Sequence, residues 1–327
     1  MGFLRSILLC FVACYAGAQT STDIRVHDPV MIKQGSTYYL FCTGNGISAF
    51  SSTDMKNWKK EKSVFDSGPQ WAIDAIPGFK GHIWAPDISF HNGEYYLYYS
   101  VSAFGKNTSC IGLATNKTLD PSDKNFKWTD HGKVIQSVPG RDLWNAIDPN
   151  LAWDDQQQPW LVFGSFWSGM KLVKLNANLK EVAYPEEWKT VSKRPRDFKV
   201  DDGNAGDEGA VEAPFIFKKN NFYYLFVSFD FCCRGVKSTY KIMIGRSEKI
   251  EGPYVDKDGV RMDQGGGSLV LQGNASWLGV GHNSAYTFDG KDYLIFHGYD
   301  AADEGRPKLK IVDLQWDEKG WPKAELK

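Results

Sequence analysis

Three carboxylates in this chain share one local setting: Asp28, Asp148 and Glu212 each stand just ahead of an apolar, strand-like run, beside Pro29, Pro149 and Pro214. One acid that gives a proton and one carboxylate that takes a proton from water are the minimum set for cleaving an acetal between two sugars. A third acid close by has its own use, because its negative charge helps the donor keep its proton near working pH. The Asp-Pro dipeptide alone is a common turn starter, and Asp120-Pro121, outside the repeated setting, is read as a turn. No G-x-S-x-G, P-loop or H-E-x-x-H pattern offers a competing chemistry.

Such acids can cooperate only if the fold brings them together, and an internal repeat supplies the means. A polar start, an apolar strand, a tight turn and an aromatic-rich strand recur five times, beginning at Asp28, Pro86, Asp148, Glu212 and Asn283. The aromatic strands carry Leu40, Leu97, Leu161, Leu225 and Leu294, spaced roughly 60–70 residues apart, about one four-stranded blade with generous loops. Asn92-Gly93 and Asp289-Gly290 are strong hairpin turns inside two of the copies. The expected fold is therefore all-β, a single-domain five-bladed β-propeller over residues 19–327. In such a ring the first strand of each blade lines the axis, so repeat-equivalent positions meet there. Asp87 in the second copy and His282 in the fifth are expected close to the positions of the three acids.

Composition agrees. Twelve Trp, fifteen Tyr, twenty Phe and thirty-two Gly suit short strands joined by tight turns. With 38 basic and 39 acidic residues there is no net field to attract nucleic acid or an anionic membrane, and a neutral ligand is favoured. Residues 1–18 read as an export signal, with Arg5, an apolar run from Ile7 to Val12, and a small-residue cleavage site at Ala16-Gly17-Ala18. In an oxidising compartment Cys232 and Cys233 are candidates for a vicinal disulfide, while Cys42 and Cys110 are either buried thiols or a second bridge. Asn107, Asn116 and Asn274 are glycosylation triplets by pattern. The acidic stretch 201–208 lacks the spacing of a calcium loop and is read as solvated.

The segments Val26-His27-Asp28-Pro29, Trp84-Ala85-Pro86-Asp87, Asn145-Ala146-Ile147-Asp148-Pro149 and Val211-Glu212-Ala213-Pro214 together resemble glycoside hydrolase family 43. Gly164-Ser165-Phe166-Trp167, Phe231-Cys232-Cys233-Arg234-Gly235 and Gly245-Arg246-Ser247 resemble more narrowly its endo-1,5-α-L-arabinanases. The resemblance implies a secreted enzyme that cuts internal arabinan bonds with inversion, Asp28 as base, Glu212 as acid and Asp148 tuning and orienting the acid. The alternatives are an exo-acting α-L-arabinofuranosidase or β-xylosidase on the same fold, or a non-catalytic carbohydrate-binding propeller. It also implies a substrate groove in which Trp84, Phe166 and Trp167 stack on rings and Asp87, Asn145, Ser165 and Arg234 supply polar contacts. Gly112 would let a sugar approach the backbone. His282 would bind a metal, taken to be a calcium ion, in the central channel, with no organic cofactor. The expected partner is arabinan or its oligosaccharides, met by a monomer.

Overall fold

In the computed structural model, residues 20, 21, 23–197, 206 and 208–326 are described; the expected export signal and most of the acidic stretch lie outside them. The five copies fold as five antiparallel blades. Their inner strands are Val30–Gln34, His82–His91, Asn150–Trp153, Val211–Lys219 and Trp277–Phe288. Each pairs with the aromatic strand of its own copy: Thr37–Cys42, Glu94–Ser102, Pro159–Phe163, Phe222–Phe229 and Lys291–Asp300. Third strands follow at Ser48–Ser52, Ser109–Asn116, Met170–Lys174, Lys241–Ser247 and Arg306–Asp313. Both expected hairpins carry positive φ at their two central residues, Asn92 and Gly93, Asp289 and Gly290, the twist-matched turn that these dipeptides favour.

Runs such as Tyr38-Tyr39-Leu40-Phe41 are apolar at every position because both faces of a blade are covered. Side chains alternate across the strand: Tyr39 and Phe41 pack towards blade two, Tyr38 and Leu40 towards blade five. The core is thus divided into five clusters, one at each junction between neighbouring blades. The five repeat leucines are all fully buried.

The ring closes through the start of the chain. Blade five has three strands in its own sheet, and residues 24–26 lie along its third strand: Val26 N–H donates to the Pro307 carbonyl at 3.3 Å and Leu309 N–H to the Ile24 carbonyl at 3.2 Å. First and last copies are thereby joined without a covalent link. Among the described residues no helix is long and apolar enough to cross a membrane. Of the three glycosylation triplets, Asn107 and Asn116 are buried at 0% and 1% exposure, so the folded surface offers only Asn274. Cys232 and Cys233 form the expected vicinal disulfide, and Cys42 and Cys110 are buried free thiols.

Candidate active site

One backbone feature recurs once in every blade, just before or within its inner strand. Asp28, Ala85, Asp148, Ala213 and His282 have φ of 55°, 39°, 57°, 55° and 49°, a left-handed conformation that non-glycine residues seldom hold. In four of the five a proline follows, which disfavours the right-handed helical alternative. Each of these residues gives its N–H to a side chain of the preceding blade. Asp28 donates to His297 Nδ1 (3.2 Å), Ala85 to Thr43 Oγ1 (2.9 Å), Asp148 to Ser100 Oγ (2.9 Å), Ala213 to Asp148 Oδ2 (3.1 Å) and His282 to Ser228 Oγ (2.8 Å). A closed ring of five clasps therefore turns these positions towards one place.

Asp28, Asp148 and His282 occupy the left-handed position itself. Glu212 does not: it stands one residue earlier, where the other blades have His27, Trp84, Ile147 and Gly281. This corrects the expectation that all three acids are repeat-equivalent, and it separates their surroundings. The Asp28 carboxylate receives His27 Nδ1 at 2.8 Å and His282 Nδ1 at 2.9 Å on Oδ1, and Thr43 Oγ1 on Oδ2 at 2.5 Å. Burial works to raise its pKa, but the facing imidazoles of His27 and His282 outweigh this and hold it well below the usual carboxylate range. Asp148 goes the other way: burial, with the Glu212 and Asp28 charges adding and His282 opposing, pushes it up to about 8. Glu212 is partly exposed and accepts from Ser165 Oγ (2.7 Å) and Tyr240 Oη (2.5 Å), one on each carboxylate oxygen. Burial and then the Glu212 and Asp148 charges push the Tyr240 phenol well up, so it stays a neutral donor.

His282 was expected to hold a metal. Burial disfavours its charge, yet Asp28, Asp148 and Glu212 together raise its pKa to about 9; a field that retains a proton so firmly would also hold a cation. Its Nδ1 is engaged by Asp28, the arrangement that leaves Nε2 as a metal ligand with a carboxylate behind it. No three-donor group among the described residues includes His282. The residues fit an ion held by one imidazole and otherwise by water.

The blades thus bring three carboxyl groups, Asp28 held ionised among them, into one hydrogen-bonded setting. The sequence model for glycosyl hydrolases family 43 matches residues 22–322. The chain belongs to that family. Like the extracellular exo-α-(1→5)-L-arabinofuranosidase ArbA of Cellvibrio japonicus, it is a family 43 glycoside hydrolase; the two are 53% identical over 96% of this chain and 90% of that one. Identity to the extracellular endo-α-(1→5)-L-arabinanase 1 of Bacillus subtilis is 45%, over 91% and 87%. The solved α-L-arabinanase of Cellvibrio cellulosa, complexed with arabinohexaose, superposes with a TM-score of 0.91 at 54% identity, over 93% of this chain and 96% of that one.

Within this family 43 fold the expected groove residues divide. Trp84 is partly exposed next to Ala85, and Phe166 (φ 53°) stands at the rim with Phe231, ring centroids 6.2 Å apart, and with Arg234 lying 3.8 Å over Phe231. These remain able to meet a sugar. Ser165 gives its hydroxyl proton to Glu212 at 2.7 Å, and its oxygen can still accept. Trp167 is 2% exposed and covered by Arg196 at 5.4 Å, so it is packing and not a platform. At Gly112 an added Cβ would lie 2.5 Å from the Tyr99 ring and 2.7 Å from Trp71; the glycine makes room for protein rings, not for a sugar. Asn145 is 3% exposed and its amide oxygen accepts from Ser109 Oγ at 2.6 Å, a tie between blades two and three. Asp87 lies two residues beyond the left-handed position and is also a tie. It accepts from Asn150 Nδ2 (3.1 Å) and Leu151 N–H (2.9 Å), beside a cavity of about 270 Å³ shared with Phe215, Ala285 and Tyr286. Burial pushes its carboxyl up to about 6, against those two hydrogen bonds.

The residues that sequence reasoning left without a role are His27, Thr43, His297 and Tyr299, all within the hydrogen-bonded surroundings of Asp28. Only His27 had a local signal, its place beside the catalytic candidate. The others lie far along the chain from the groups they serve.

Proposed function

We propose that this chain hydrolyses the α-1,5-linked L-arabinofuranosyl backbone of arabinan by a single inverting displacement, with Asp28 as base and Glu212 as acid. The observation that carries the reading is the unequal surroundings of the three carboxyls: Asp28 held ionised by His27 and His282, Glu212 partly exposed, and Asp148 held protonated on the N–H of the residue after Glu212. A carboxylate held ionised can take a proton from water, and the more exposed carboxyl of Glu212 is the one able to meet the leaving oxygen. A carboxylate has about four lone-pair sites; His27, His282 and Thr43 occupy three of them on Asp28, leaving one for the attacking water. As water bonds to the anomeric carbon its proton passes to Asp28. The bond from that carbon to the leaving O5 breaks, and Glu212 protonates the oxygen. Ser165 and Tyr240 then stabilise the Glu212 carboxylate that remains. Asp148 steadies the acid through the backbone, since it holds the N–H of Ala213, the very next residue. Proton NMR of the first product formed checks the stereochemistry: the β-anomer is expected, and initial α-product would overturn the single displacement.

Attack from chain ends is the mode favoured by the 53% identity to an exo-acting relative. The internal attack expected from sequence is supported by the endo-acting relative at 45%. A product profile on debranched arabinan separates them. Exo action is expected to release short products of one size from the outset with little early fall in viscosity; an early collapse of viscosity with a ladder of oligosaccharides would establish endo action. Both relatives are named extracellular, which supports export of this chain.

The calcium at His282 is part of the same reading. When bound, it would supply positive charge beside the carboxylates, and His282 would hold it through Nε2. Dialysis against a chelator is expected to lower Tm by several degrees and reduce turnover, both restored by calcium. Unchanged Tm and turnover would remove the ion from the account.

A further inference from the structure

We propose that the Cys232–Cys233 disulfide keeps the base in register through Tyr299 and His27, which makes Tyr299 and His27 positioning residues and makes turnover sensitive to reduction of that bond. The inference rests on the reading of Asp28 as the base.

The contacts form one chain from the disulfide to the base. Cys233 N–H donates to Tyr299 Oη at 2.7 Å. Tyr299 Oη also meets His27 Nε2 at 2.8 Å, beside a hydrogen bond with Ser238. His27 Nδ1 in turn faces Asp28 Oδ1 at 2.8 Å, where an N–H donates to the carboxylate. The place of the His27 ring, and with it the donor that aims the base, is thus held from the backbone of Cys233 through Tyr299. The ring is held in plane by His297, stacked on it with centroids 3.9 Å apart; His297 Nδ1 in turn accepts the Asp28 N–H. Cys233 Sγ lies 3.7 Å from His27 Nε2, so the disulfide itself closes over the same ring edge.

The anchor of this chain needs the disulfide. Cys233 has φ of 65°, a conformation a non-glycine residue keeps only where its surroundings over-determine it. The ring closed by the two adjacent sulfurs does so. Opening that ring frees the backbone at Cys233 and with it the direction of the N–H that aims Tyr299. Cys233 is exposed, so a reductant reaches it without unfolding the blades. Burial pushes the Tyr299 phenol well above its ordinary range, against the hydrogen bond from Cys233 N–H, so the phenol stays neutral.

The test uses the whole enzyme on debranched arabinan, with and without dithiothreitol. The Cys232–Cys233 bond breaks as its sulfurs take two electrons and two protons from the dithiol, which closes to its cyclic disulfide; titration of exposed thiols confirms the reaction. Reduction is expected to lower kcat about five- to tenfold, the size of one neutral hydrogen bond, with KM changed less than about twofold. Tyr299→Phe is expected to show the same fall without reductant and no further fall with it. The Cys232→Ser/Cys233→Ser variant is expected to match the reduced enzyme and to ignore dithiothreitol. A fully reduced wild type that keeps its kcat, or effects of Tyr299→Phe and reduction that simply multiply, would overturn the inference. Asp28→Asn run alongside keeps the two readings distinct. If it is inactive while reduced enzyme keeps its kcat, only the positioning chain fails; if it turns over normally, the base assignment fails and takes this inference with it.

Discussion

Glu212→Gln is expected to lower kcat on arabinan by about 10²- to 10⁴-fold, the usual share of a general acid, while oligosaccharide binding persists and Tm moves by only a few degrees. The substitution keeps the size of the side chain. Its amide oxygen can still accept from Ser165 or Tyr240, and its amide N–H₂ can donate to the hydroxyl that has lost its acceptor. What it cannot do is deliver a proton to the leaving oxygen. The loss should therefore depend on the leaving group. A short α-1,5-arabino-oligosaccharide carrying a dinitrophenyl aglycone departs without protonation and is expected to recover most of the wild-type rate in the variant. Equal losses on both substrates would show that Glu212 serves the site in some way other than as its acid.

The repeat was legible because a propeller blade buries both faces. Tyr38-Tyr39-Leu40-Phe41 can be apolar at every position only if each alternate side chain meets a different neighbouring blade, and that is where they lie. The positions of Asp28 and Asp148 followed from the same regularity. Glu212 was found for a partly wrong reason. The repeat appeared to align it with the two aspartates, whereas the left-handed residue of blade four is Ala213, and a shift of one residue along a strand changes where a side chain points. Backbone handedness is set by clasps between blades, such as Ser100 to Asp148 and His297 to Asp28, and those partners are remote in sequence. The same distance hid Tyr299. Trp167 and Gly112 were misread for a related reason: an aromatic or a glycine next to a site motif looks the same in sequence whether its neighbour is a sugar or another ring. Arg196 over Trp167, and Tyr99 against Gly112, decide both cases.

The unequal fates of the three carboxyls make Asp28→Asn the sharper test of the base. Its kcat is expected to fall about 10²- to 10⁴-fold with binding of arabino-oligosaccharides retained. The site can accept the amide. With its oxygen in the place of Oδ1 it still accepts from His27 and His282, and its N–H₂ then faces Thr43 Oγ1, which can accept in place of donating. The left-handed backbone is also suited to asparagine, which is enriched among non-glycine residues there. A moderate loss of Tm is expected, because the negative charge facing His27 and His282 is gone. The variant should therefore be folded, competent to bind and unable to take a proton from water. Since the acid would remain intact, an easier leaving group should bring no recovery, the reverse of Glu212→Gln. The opposite responses of the two variants to the aglycone separate base from acid on one fold, and a dinitrophenyl substrate that rescued Asp28→Asn would reverse the assignment.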